Sequence, residues 1–132
     1  MSKLLHKDLT DVIIGIYYNV FNELGYGFLE RVYQNAMFWE LKNEGFDVDA
    51  QKQIKVYYKG AQVGDYFADL FVDNCVILEL KACEVLADEH EIQLLNYLRA
   101  TTIEVGLLLN FGEKPEFKRL VFTNDRKNLK TT

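Results

Sequence analysis

Apolar residues recur along the first quarter of the chain at Val12, Ile13, Ile16, Tyr17, Val20 and Leu24, with Asn19, Asn22 and Glu23 on the other side. That spacing predicts an amphipathic helix from about Lys7. Gly25-Tyr-Gly27 ends it, glycine supplying the tight or left-handed geometry of a helix–helix junction. A second helix is expected over about 28–43, with Leu29, Val32, Tyr33, Ala36, Met37 and Leu41 inward and Gly45 closing it. The period then shortens to two. Val48 to Tyr58 reads as a strand with a polar first half, Lys59-Gly60 as a turn and Gln62 to Val72 as a second strand. Asp73-Asn74 marks another turn before Val76-Ile-Leu-Glu-Leu-Lys-Ala-Cys83, which reads as a buried strand. Asp88 suits the cap of a third helix reaching about Ala100, with Glu91 completing a capping-box-like pair. Thr102 to Asn110 reads as a fully buried strand and Lys118 to Phe122 as a short last one, with loose ends over 1–6 and 124–132. The order ααβββαββ predicts an α+β or mixed three-layer fold in one domain.

Two apolar strands are broken by charge. Strand side chains alternate faces, so Glu79 and Lys81 emerge on one face while Val76, Leu78 and Leu80 point the other way. Burying either charge alone would cost several kcal/mol, roughly, so each needs a partner, a cation or a watery cleft. Asp69 is a second such case, inside Tyr66-Phe-Ala-Asp-Leu-Phe-Val72. Whether it meets Glu79 depends on register. A two-residue loop pairs Val72 with Cys75 and sends the two carboxylates to opposite sides; a loop of Asp73, Asn74 and Cys75 pairs Val72 with Val76 and sets Asp69 opposite Glu79. Like charges so placed repel unless a cation sits between them.

Composition narrows the class. The 132 residues are 49% hydrophobic and 14% aromatic, as in an ordinary globular protein. No apolar run approaches the roughly 18 residues of a membrane span. Cys75 and Cys83, with no signal peptide ahead of them, are expected to be reduced core residues of a cytoplasmic protein. A net charge of −5 argues against a freestanding nucleic-acid binder. The C-terminal cations Lys114, Lys118, Arg119, Arg126, Lys127 and Lys130 are diluted by Glu113, Glu116 and Asp125 and suit a solvated tail better than a DNA grip.

Further polar residues share faces with these elements. Gln93 and Tyr97 lie four apart on the third helix, with His90 three before Gln93; Glu30 and Tyr33 share a face of the second. Bland explanations exist for each. Glu30 is favourable at a helix N-terminus regardless of function. Tyr33 and Tyr97 equally suit core aromatics, His90 a solvated first turn, Glu91 a cap, and Asp69, Glu79 and Lys81 a structural ion-pair set. If Asp69 and Glu79 converge with Lys81 beside them, they suit a hard divalent ion, Mg²⁺ or Mn²⁺, which takes oxygen ligands and keeps waters. Such an ion activates water and stabilises a phosphate oxyanion, and the lysine can help position or deprotonate the water. Neither a zinc site nor a Gly-rich phosphate loop is present in the sequence.

The spacing Asp69…Glu79-Leu-Lys81 resembles the signature of the PD-(D/E)xK nuclease superfamily, with its restriction-endonuclease-like fold. Gln93-Leu-Leu-Asn-Tyr97 resembles the QxxxY motif of its exonuclease branches. Gly27-Phe-Leu-Glu-Arg-Val-Tyr33 matches the G-x-x-E-x-x-Y for which a family of small prokaryotic proteins is named, and the likeness runs from about Leu9 to Gly112. The resemblance implies a central mixed sheet flanked by helices. It implies Asp69, Glu79 and the Leu80 backbone carbonyl as metal ligands, Lys81 as catalytic lysine, and Glu30 as an outer-sphere or second-metal carboxylate. Gln93 and Tyr97 become supporting or substrate-phosphate contacts. Two positions depart from the family pattern: Phe21 stands where a histidine is common, and Tyr26 where a proline is common between the two glycines. Two functions compete. One is a Mg²⁺-dependent nuclease, acting on nucleic acid with DNA ahead of RNA, with a second copy or a protein partner supplying the missing basic surface. The other is a non-catalytic nuclease-fold module that binds a protein or RNA partner.

Overall fold

The computed structural model describes residues 5–129. Helices α1 (Lys7–Leu24) and α2 (Glu30–Asn43) precede strands β1 (Val48–Tyr58), β2 (Ala61–Val72) and β3 (Val76–Lys81). Helix α3 (Asp88–Arg99), strands β4 (Val105–Phe111) and β5 (Pro115–Val121), and a 3₁₀ turn at Asn124–Arg126 complete the chain. The strands form one sheet in the order β1-β2-β3-β4-β5. All neighbours are antiparallel except β3 and β4, which run parallel. A parallel pair needs a crossover, and α3 is that crossover. The fold is α+β with a mixed central sheet flanked by helices, in the expected order ααβββαββ. No helix among the described residues is long and apolar enough to cross a membrane.

Two cores lie on the two faces of the sheet. On one, Ile13, Tyr17 and Val20 of α1 and Tyr33, Met37 and Leu41 of α2 pack on Leu78, Leu80, Leu107 and Leu109. On the other, Leu94, Tyr97 and Leu98 of α3 pack on Ile54, Ala68, Ile77 and Leu108. The even-numbered residues of β3 thus face α1 and α2, and Ile77 faces α3, as alternation demands. At Gly106 α3 packs so close that a Cβ would stand 2.8 Å from Leu94 Cδ1 and force that buried side chain to shift.

Several boundaries and faces differ from the sequence expectation. Val12 and Val32 are 42% and 37% exposed. Each sits one helical step, roughly 100°, from a fully buried neighbour, which carries it off the apolar stripe. Leu29 is 81% exposed because it is the residue before α2, not part of its inner face. Helix α3 begins after Ala87, whose N–H is accepted by His90 Nδ1 at 3.1 Å. His90 therefore caps the helix. Asp88 is its first residue, and Glu91 instead pairs with Lys118 at 3.0 Å. Strand β4 starts at Val105, not Thr102, and β5 at Pro115, where a residue without an N–H is tolerated as the first of an edge strand. Cys75 and Cys83 are free, but only partly buried.

Within the C-terminal segment, Asn124 and Lys127 are tied to the start of the β4 region. Lys127 Nζ donates to the carbonyls of Thr101 (2.9 Å) and Ile103 (2.6 Å), and Asn124 Nδ2 to Thr102 O at 3.0 Å. Arg119 donates to Leu5 O. Residues 1–4 and 130–132, also expected to be loose, lie outside the described residues, and Lys130 with them.

The α1–α2 junction is pinned by one hydroxyl. Tyr33 is fully buried and stacked on Phe111 (4.2 Å between centroids, 14° between planes). Its OH donates to Gly25 O at 2.6 Å and accepts from Phe28 N at 3.2 Å. Gly27, at φ 108°, makes the turn that brings these groups to it. Tyr33→Phe keeps the ring and strands both backbone groups, so urea denaturation should show a loss of about 1–3 kcal/mol. An unchanged stability would mean that the junction is held elsewhere.

Candidate functional site

The connection between β2 and β3 is the three-residue loop Asp73, Asn74 and Cys75. Asp73 and Asn74 take φ of 51° and 52°, which Asp and Asn tolerate better than most residues. Cys75 N–H closes the turn on Val72 O at 2.9 Å. Asp73 is also braced on Asp47, its N–H donating to Asp47 O (2.7 Å) and its Oδ1 accepting from Asp47 N (2.9 Å). The register that follows is Val72–Val76, Phe71–Ile77 and Leu70–Leu78. Its next step sets Asp69 across from Glu79.

There the backbone ladder stops and the two carboxylates take over its hydrogen bonds. Glu79 Oε1 accepts from the Asp69 N–H at 3.0 Å, and Asp69 Oδ2 accepts from the Leu80 N–H at 2.8 Å. Each acid thus holds a backbone N–H at the other acid's level of the ribbon. Glu79 is only 4% exposed, although it sits in the most apolar strand pair of the sheet.

The β1 side contributes a contact that the sequence pattern does not reveal. Ala50–Leu70 and Lys52–Ala68 are paired, so Gln51 lies across from Asp69. Gln51 takes φ 52°, a left-handed conformation unfavourable for a residue with a Cβ. At this level the ribbon turns over: Val48, Leu70 and Val72 belong to the α1–α2 core, whereas Ile54 and Ala68 belong to the α3 core. Gln51 Nε2 donates to Gln34 Oε1 at 2.8 Å and makes a long contact of 3.4 Å to Asp69 Oδ1. Gln34 is one turn beyond Glu30 on α2 and shares its face. Glu30 itself opens α2, exposed, and its negative charge raises the proton affinity of both Asp69 and Glu79.

Helix α3 closes the other side. Gln93 Nε2 donates to Tyr97 OH at 3.0 Å. Tyr97 is nearly buried, and its hydroxyl pKa is pushed up to about 12, first by burial and then by the charges of Glu79 and Asp69. Its ring lies 5.8 Å from that of Tyr66 on β2. The structure thus brings Gln93 and Tyr97 toward the carboxylate pair, while His90 serves the helix end and Tyr33 the α1–α2 junction.

Lys81, half-buried, ends β3 across from Asn110 of β4. The segment after it is clamped by Asn110, whose side chain is wholly buried. Asn110 Oδ1 accepts from Cys83 N at 3.1 Å and its Nδ2 donates to Cys83 O at 2.9 Å, so a side chain stands in for one more ladder pair. Gly112 completes the clamp, since a Cβ there would lie 2.2 Å from Cys83 O. Gln34, Gln51 and Asn110 are the residues that sequence reasoning missed. Only Gln34 left a signal, one turn after Glu30.

Electrostatically the two acids are under-compensated. Burial raises the proton affinity of both acids; each is further disfavoured as an anion by Glu30, and Glu79 by Asp69. Glu79 is pushed up to about 8. Backbone hydrogen bonds and Lys81 oppose this without cancelling it. Among the described residues the ion pairs are Lys7–Asp11, Lys52–Asp49 and Lys118–Glu91, so Lys81 closes no salt bridge with either acid. No three His, Cys, Asp or Glu side chains converge on one point among the described residues. Two carboxylates beside a strand backbone do not suit a closed zinc site, but they fit magnesium, which takes one or two carboxylates and keeps several waters.

Comparison with known proteins agrees with this architecture. A family model described as the PD-(D/E)XK nuclease superfamily matches residues 7–120. No curated protein matches. The crystal structure of SSO0001 superposes with a TM-score of 0.57 at 15% sequence identity, over 70% of this chain and 50% of that one. The chain thus spans about half the length of that protein, and at this identity the likeness speaks for the fold alone. With the family match covering most of the sequence, the chain belongs to the PD-(D/E)XK nuclease superfamily.

Proposed function

We propose that this chain is a divalent-metal-dependent phosphodiesterase acting on nucleic acid, DNA ahead of RNA. One observation carries this reading. Asp69 and Glu79 are driven together in a largely buried ribbon, with no basic group among the described residues within ion-pair distance. A purely structural charge cluster would place Lys81 on one of them. Asp69, Glu79 and the Leu80 carbonyl are the ligands we assign to Mg²⁺ or Mn²⁺. The Leu80 N–H already points to Asp69, and in an antiparallel pair N–H and C=O of one residue project to the same side.

A bound magnesium ion would lower the pKa of water and stabilise charge on a phosphate oxygen. The protein's own groups do the rest. Lys81, clear of both acids, orients the attacking water, takes its proton or offsets phosphorane charge. Asn110 and Gly112 fix the strand end that carries it. Gln51, backed by Gln34, orients Asp69; Gln93 and Tyr97 contact the substrate phosphate or support Glu79; Glu30 serves as an outer-sphere or second-metal carboxylate. Within the superfamily we place the chain in the GxxExxY branch on Gly27, Glu30 and Tyr33. Lys118, Arg119 and Lys127 are engaged internally, so basic surface beyond the chain's remaining exposed cations comes from a second copy or a partner. The same acidic balance, −5 overall, is what favours the second reading, a non-catalytic module on this fold.

Cleavage of single- and double-stranded DNA and RNA with Mg²⁺ or Mn²⁺ tests the choice. Lys81→Ala should lower the rate at least about 100-fold. Cleavage that persists in that variant would sink the assignment, and no cleavage of any of these substrates by wild type would favour the module.

The carboxylate pair also predicts an unusual pH dependence. Its folded proton affinities are raised above the unfolded values, so folding takes up protons and stability falls as pH rises. The window runs from the ordinary carboxyl range, roughly 4, up to about 8 for Glu79. Thermal melts in chelator should show Tm dropping from pH 5 to 8, and Glu79→Gln should flatten that drop. A slope equal in the two proteins would show that the acids are not under this stress.

A further inference from the structure

A cleft of about 550 Å³ lies between the β1–β2 ribbon, the Tyr97 flank of α3, and Asn128 and Leu129 of the C-terminal segment. That size is ordinary for a small-molecule site. Tyr66 and Tyr97 line it, with the amides of Gln93 and Asn96 and the cations Lys55 and Arg99. We infer that this cleft holds one unpaired nucleotide of a single-stranded substrate, its base on Tyr66 and its flanking phosphates toward Lys55 and Arg99. The inference rests on the nuclease reading above and names the substrate class for it.

Three observations support that occupant over others. The first is continuity: Tyr97 lines the cleft and also stands in the field of Asp69 and Glu79, so a strand bound here leads to the acids. The second is the form of the aromatic wall. Tyr66 is 49% exposed, backed by the buried Tyr97 ring at 5.8 Å, which makes an open platform on a rigid support. Base–aromatic stacking tolerates any sequence because every base has a π-face, and paired bases within a duplex do not present one. The third is charge. In a chain of net charge −5, the ionic residues that line this cleft among the described residues are two cations and one acid, Glu89. Asn96 is exposed on α3, and its amide can pair with a base edge, while Gln93 is held by Tyr97.

The test uses a short single-stranded DNA carrying one 2-aminopurine, and the blunt duplex of the same sequence, titrated with the full chain in chelator. Fluorescence reports stacking and anisotropy reports binding. The single strand should bind at least about 10-fold more tightly than the duplex, with its fluorescence altered. Tyr66→Ala should weaken single-strand binding by about 5- to 100-fold, and Tyr66→Phe should restore it. Because Tyr66 is half exposed, both variants should melt like wild type. Equal affinity for the duplex, or an unchanged affinity in Tyr66→Ala, would overturn the cleft assignment. Manganese titration of the same proteins in chelator-free buffer keeps the two claims apart. Ion binding with no effect of Tyr66→Ala removes the cleft and leaves the metal site standing; stacking without ion binding removes the nuclease reading.

Discussion

Everything at the centre of this molecule follows from the exchange of hydrogen bonds between two acids and a splayed strand pair. Where the β2–β3 ladder ends after Leu70–Leu78, Asp69 and Glu79 accept the N–H groups that the ladder leaves behind. The arrangement satisfies the backbone but brings two carboxylates together out of water. Hydrogen bonds favour the anions, while burial and mutual repulsion disfavour them, and disfavour wins. A protein that needed only a closed sheet would do better with apolar residues here, since replacing buried charges by packed hydrophobes is often neutral or stabilising. The acids therefore point to use rather than to support.

The surroundings read as devices for holding that pair in place. The Asp73–Asn74–Cys75 loop fixes the register, and a one-residue change would turn Glu79 away from Asp69. Gln51 accepts an unfavourable backbone conformation to reach Asp69, the kind of local strain that a rigid surrounding must impose. On the far side of β3, Asn110 extends the β3–β4 pairing by a side chain, past Lys81. Helices α1 and α2 contribute from below. Tyr33 ties their junction, which sets where α2 begins and hence where Glu30 stands.

How much of this was legible in the sequence depends on whether the signal was local. Element order followed from periodicity, and the acids stood out because each interrupts an apolar strand. The choice between the two hairpin registers was framed by the sequence but decided by Asp73 and Asn74 both adopting left-handed geometry. Gln51 was hidden for a specific reason. A plain two-residue turn at Lys59-Gly60, pairing Tyr58 with Ala61, would carry Ala50 opposite Asp69; the irregularity between Val56 and Tyr57 shifts the pairing by one and brings Gln51 there instead. Nothing in local propensity announces such a shift. Asn110 was hidden because it lies in a run read as wholly apolar, and Asp88 seemed a cap because His90, a rarer capping residue, does that work through its ring nitrogen.

Isothermal calorimetry with Mn²⁺ in buffers of different ionisation enthalpy tests the central claim most directly. If burial keeps a proton on the carboxylate pair for want of a cation, an ion bound by both acids must displace it. Wild type at pH 7 should bind the ion and release about one proton per ion, and Asp69→Ala should abolish the binding. Binding that releases no proton, or that survives Asp69→Ala unchanged, would contradict the account.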